Sequence, residues 1–216
     1  MPIRHYKSLF KELNKSRLLK FQIVVLFLTT YIDWVLMPYV TKLEGTYLPV
    51  MIISFYMLLS ASDGLIQPLF KKIKIYQIYL FVILLDIVQI LSYSLVEASM
   101  ILFTYVILTI FTLQAITFEI SRIHTIDFMK EYIEIKEYLM LRSFIVSSAI
   151  IGGATTAMLL DFIDISLKSI LYGLGFLGVI AVVIEYRLYK KFKTIVQTED
   201  TIIEKQKHLI NEKIKV

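Results

Sequence analysis

Six long apolar stretches, separated by short charged links, limit this chain to one kind of solvent. They run roughly from Phe21 to Thr41, Tyr47 to Phe70, Ile75 to Val96, Ser99 to Ile120, Tyr138 to Leu160 and Ser169 to Glu185. A helix of about 20 apolar residues crosses the ~30 Å hydrocarbon core of a bilayer. In lipid every backbone N–H and C=O must find its partner inside the protein, which leaves only helices and closed barrels. These stretches lack strict alternation and far exceed the ~10-residue strands of a barrel. The expected fold is therefore all-α: a polytopic membrane protein with six transmembrane helices. Composition agrees, since 57% of the 216 residues are hydrophobic and 19% charged, against roughly half and a quarter in soluble domains.

The distribution of Lys and Arg sets the orientation. Arg4, Lys7, Lys11, Lys15, Arg17 and Lys20 precede the first stretch, and Lys71, Lys72 and Lys74 link the second to the third. Arg122, Lys130 and Lys136 lie between the fourth and fifth, with Arg142 nearby, and Arg187, Lys190, Lys191 and Lys193 open a basic tail. The alternate links hold only Lys42 and Lys168. The positive-inside rule then predicts a multi-pass protein of the cell membrane with both termini cytoplasmic. Three segments follow: a basic amphipathic start at 1–20, a helical bundle at 21–187, and a basic, partly helical tail at 188–216. In the start, Tyr6, Leu9, Phe10 and Leu13 recur at helical spacing, as an interfacial helix requires. In the tail, Thr201 and Glu204 have the spacing of a capping box, and an interfacial or frayed helix is expected there.

Several function classes are disfavoured by what the chain lacks. There is no cysteine, so disulfide frameworks, thiolate nucleophiles and Cys-ligated metals are out of reach. The apolar run after the basic start is too long for the core of a signal peptide and has no small-residue cleavage site, so it is expected to be a retained span. His5, His124 and His208 all fall in cytoplasmic segments. No HExxH pair, GxSxG elbow or phosphate-cradling glycine loop occurs, so no catalytic residue, metal or cofactor is expected and an enzyme is disfavoured. The net charge of +5 does not point to nucleic acid, because the excess Lys and Arg sit where they would face anionic membrane lipids.

Ionisable groups at membrane depth are costly and therefore mark function. Asp33 in the first stretch and Asp86 in the third lie near mid-depth, and Asp63 lies closer to the cytoplasmic end of the second. These three are candidate sites for a solute or a coupling proton, and Trp34 is an aromatic neighbour suited to an organic cation. The alternative is a packing role, in which each carboxyl hydrogen-bonds a polar side chain of a neighbouring helix. In the fifth stretch, Ser148, Gly152 and Thr156 form one row of small residues, with Gly153 in the adjacent row, so this face permits close helix approach, within the bundle or to a second one.

Taken together, these features resemble the amino-terminal half of a major facilitator superfamily transporter, nearest its drug-efflux branch. IDWVLMPYV, Ile32 to Val40, is similar to that family's first helix, with an acidic residue, an apolar run and a Pro. SASDGLIQPLFKKIK, Ser60 to Lys74, stands where the family has its loop signature: Gly64 and Lys72 fit it, while Pro68 and Leu69 replace its Asp and Arg and Lys71 its second Gly. SRIHTIDFMKEYIEIKEYLMLRSFIVSSAIIGGATTAMLLDFI, Ser121 to Ile163, is similar to the charged loop and glycine-rich fifth helix, without the Pro of the antiporter motif.

The resemblance implies a half-size bundle. Two such halves are parallel repeats about an axis along the membrane normal, so a homodimer, or a pair with a second six-helix half, would restore twelve helices. The implied function is transport or efflux of a small amphipathic solute. The competing expectation is a non-transporting accessory or immunity-type membrane protein that binds a partner.

Overall fold

The computed structural model describes residues 17–44, 73–129 and 134–214, with side chains at 19–40, 73–114 and 134–198 and at a few positions beyond 114. All the secondary structure there is helical: α1 Arg17–Glu44, α2 Ile75–Ser92, the single-turn α3 Leu95–Ala98, α4 Met100–Met129, α5 Ile135–Phe162 and α6 Leu167–Ile214. The chain is a helical membrane protein, and α1, α2, α5 and α6 each contain a stretch long and apolar enough to cross a bilayer.

Four spans thus replace the expected six among the described residues. The apolar part of α4 is continuously described only from Met100 to Gln114, short of a full crossing. The expected second span, Tyr47 to Phe70, lies outside the described residues, as do Asp63, Gly64, Pro68, Lys72 and the basic start at 1–16. α6 runs unbroken for 48 residues, through residue 187 and through Thr201, so the basic tail continues the helix of the last span as far as Ile214. At 1.5 Å per residue it is about 70 Å long, more than twice the hydrocarbon core.

Local chemistry explains the helix ends. Gln77 Oε1 accepts the Lys74 backbone N–H at 2.9 Å, closing the start of α2. At its other end the hydroxyls of Ser92 and Ser94 donate to the carbonyls of Gln89 and Leu91, in the last turn, where helix carbonyls run short of their usual N–H partners. Ser99 Oγ accepts the Leu102 N–H and caps α4. α5 ends at Asp164, whose φ of 56° is left-handed, a conformation that Asp tolerates better than most residues. The turn then brings the Ile165 N–H onto the Leu160 carbonyl at 3.1 Å, and Ser166 Oγ caps α6 by accepting the Ser169 N–H.

α1 is the hub, packed against α5, α6 and α4, while α2 packs against α6 and α4. One apolar cluster joins the start of α1 (Leu19, Val25), the start of α2 (Ile75, Tyr79), the start of α5 (Tyr138, Leu141) and the later part of α6 (Leu188, Phe192). The other joins the end of α1 (Val35, Leu36, Val40), the start of α4 (Phe103, Ile107) and the start of α6 (Ile170, Leu174). α1 and α2 are therefore parallel, and the start of α1 shares a face of the bundle with the later part of α6. Outward-facing positions stay apolar: Phe162 is 88% exposed, Met158 73% and Phe176 70%, the surface a lipid solvent favours and water does not.

The face shared by the start of α1 and the later part of α6 carries an aromatic and basic belt. Tyr186 stacks on Tyr189, Lys190 lies 4.7 Å from the Tyr186 ring centre, and Lys191 approaches the Phe21 ring. Amphipathic rings and Lys side chains that reach outward are characteristic of the lipid–water interface.

Candidate functional site

Between the two apolar clusters, four helices bring polar side chains together. Asp86 and Gln89 are three residues apart on α2 and so share a face; both are buried, at 6% and 4% exposure. Gln89 Nε2 donates to Asp33 Oδ1 on α1 at 3.2 Å. Gln114 on α4 donates through Nε2 to Asp86 Oδ1 at 2.9 Å and to Gln89 Oε1 at 2.7 Å. The result is a continuous chain from Asp33 through Gln89 and Gln114 to Asp86. Turning the Gln114 amide over would set its oxygen against the Asp86 carboxyl, so the network fixes the orientation.

Glu185 of α6 completes the group and is wholly buried. Its carboxyl neighbours that of Asp86, and neither oxygen finds a hydrogen-bond donor among the described residues. The sequence carried a signal for it that the expected boundary hid. Leu174, Gly178, Ala181, Glu185, Leu188 and Phe192 recur at alternating steps of four and three, and all are buried, so the inward face continues past Glu185 rather than ending there.

Beside the network a crevice lined by Thr29, Ile32, Asp86, Gln89, Ile90, Tyr93 and Gly178 has room for about one water molecule. Small-molecule pockets begin near 300 Å³, so no solute-sized cavity is formed there. Among the described residues, no group of three or more His, Cys, Asp and Glu side chains is arranged to hold a metal ion.

Of the sequence candidates, Asp33 and Asp86 are thus joined through two glutamines. Trp34 sits against α5 instead: a Cβ placed on Gly153 would come within 2.9 Å of the Trp34 Cβ and 2.8 Å of the Tyr31 carbonyl oxygen. The small-residue face lies on α1, where Tyr31 and Thr156 hydroxyls meet at 2.8 Å and Gly152 lies under the Tyr31 ring. Ser148 instead donates to the Phe144 carbonyl of its own helix. Gln89, Gln114 and Glu185 are the members that carboxyl counting at mid-depth does not reach. Compared with known proteins, the chain matches no family model, no curated protein and no solved structure.

Proposed function

We propose that the chain is a half-size, non-catalytic membrane transporter subunit, similar to one half of a major facilitator protein. It would move a small amphipathic solute and work as a dimer with itself or with a second six-helix half. The observation that carries this reading is the hydrogen-bonded chain Asp33–Gln89–Gln114–Asp86, which joins two carboxyls inside a mostly apolar bundle. Ionisable side chains at this depth are expensive and mark function by default, whereas neutral polar residues such as Gln89 and Gln114 also serve as links between membrane helices. The parallel course of α1 and α2 supports six crossings with both termini on the cytoplasmic face. The narrowness of the crevice supports a path with one wall from this chain and the other from a partner bundle.

The test is solute-stimulated transport in vesicles carrying the full chain. Asp33→Asn should reduce transport by at least tenfold with expression and unfolding temperature retained, and unchanged transport would refute the role of Asp33. The second reading, an accessory protein that binds a partner without transporting, is favoured by the same narrow crevice. Crosslinking in native membranes separates the two: a species of twice the monomer mass supports self-assembly into a transporter, and a solitary chain supports the accessory role.

A further inference from the structure

We infer that the Asp86 and Glu185 carboxyls form a binding site for a single positive charge, a proton or a sodium ion. This rests on the transporter reading only for its purpose, namely coupling; the binding itself is a property of the bundle.

The buried side-chain atoms of this group that lack hydrogen-bond partners are all oxygens: both of Glu185 and the Oε1 of Gln114. The donors are already committed, since Gln114 Nε2 serves Asp86 and Gln89, and Gln89 Nε2 serves Asp33. Two neighbouring carboxylate oxygens have no hydrogen to share, so the Asp86–Glu185 contact becomes favourable only with a positive charge between them. Among the described residues none acts on the pair. The titratable groups acting on the pair are Asp33 from α1 and Tyr79 and Tyr93 from α2, α4 contributes Gln114, and among the described residues no Lys, Arg or His does so. A buried carboxyl cluster without a cationic partner is a strongly unfavourable arrangement unless a small cation enters it. The crevice that reaches Asp86 admits nothing larger than about one water, which limits the occupant to a proton or a small ion.

The chain carries a single tryptophan, so Trp34, next to Asp33, reports on the bundle without labelling. The experiment follows thermal unfolding and Trp34 emission of the full chain in nanodiscs. Sodium chloride is titrated against choline chloride at constant ionic strength, and pH is titrated separately without sodium. A ligand bound only by the folded state stabilises it by mass action. If the occupant is sodium, saturation should raise the unfolding temperature by roughly 5 °C. If it is a proton, sodium has no effect and the protein becomes more stable toward acid, losing that stability as pH rises.

E185Q, which supplies an amide donor in place of the charge, should abolish either response. Should E185Q fail to fold, D86N is the equivalent variant. Identical sodium and pH responses in the wild type and in the folded variant would overturn the site. The outcomes also separate from transport: a cation response without solute movement defeats the transporter reading and leaves the site, and solute movement without a cation response does the reverse.

Discussion

Gln89 of α2 holds Asp33 of α1 through a 3.2 Å hydrogen bond from its amide nitrogen, and the same side chain accepts from Gln114 of α4 through its carbonyl oxygen. One residue therefore ties three helices. Gln89→Leu should leave the Asp33 carboxyl and the Gln114 amide each short of a partner. Orphaned buried polar groups cost about 1–3 kcal/mol each, although hydrogen bonds between membrane helices can be worth less than 1 kcal/mol. The expected loss of about 1–3 kcal/mol is read from thermal unfolding in detergent micelles. In an Asp33→Asn background the loss from Gln89→Leu should be smaller, because the two changes share one bond. Full additivity would show that the bond does not couple the helices.

The contact of α5 with α1 depends on the missing side chain at Gly153. A methyl there would lie 2.8 Å from the Tyr31 carbonyl oxygen and 2.9 Å from the Trp34 Cβ, and neither atom can swing aside, one being backbone and the other the root of a side chain. Gly153→Ala should push the helices apart and destabilise by about 1–3 kcal/mol, as overpacking does. Gly173 on α6 has nothing within 4 Å of the same position. Gly173→Ala should be neutral or stabilising by up to about 1 kcal/mol through helix propensity alone. The pair of variants, compared by unfolding temperature, isolates the contact from the general effect of replacing glycine.

The apolar runs that constitute α1, α2, α5 and α6 were legible because a bilayer demands length and apolarity before it demands anything else. Asp33 and Asp86 were legible too, because they stand out as carboxyls in such runs. The partners were not, since Gln89 and Gln114 are neutral and common, and nothing in one sequence says that α2 and α4 meet. Glu185 was obscured by its own charge, which reads as the edge of a span, while Leu188 and Phe192 beyond it are buried and continue the inward face. The unbroken course of α6 beyond residue 187 was hidden for a similar reason: Lys and Thr mark an interface and a cap, but neither breaks a helix once packing has started it.

At the face opposite the aromatic belt, Glu97 of α3 and Lys168 of α6 form an ion pair. Both side chains are more than half exposed, where such pairs add little to stability, so its use is as a marker of proximity. The chain has no cysteine, so an introduced pair has no background. E97C/K168C should give an intramolecular crosslink with a short bis-maleimide, seen as altered gel mobility. E97C/K190C should not, since Lys190 lies about 33 Å further along α6. Equal crosslinking of both pairs would show that α6 does not run as one extended helix from Lys168 to Lys190.

Orientation is testable with the same cysteine-free background. Ser166 lies in the four-residue connection between α5 and α6, whereas Lys190 sits in the belt at the other face; both are exposed. If Leu167–Thr198 crosses the bilayer, the two positions face opposite compartments. With the basic face cytoplasmic, Ser166→Cys should react with a membrane-impermeant maleimide in intact cells, and Lys190→Cys only after permeabilisation. The reverse pattern would invert the bundle while keeping the span. Reaction of both in intact cells would mean that this stretch of α6 does not cross, and with it would go the premise that a carboxyl at Glu185 is held at membrane depth.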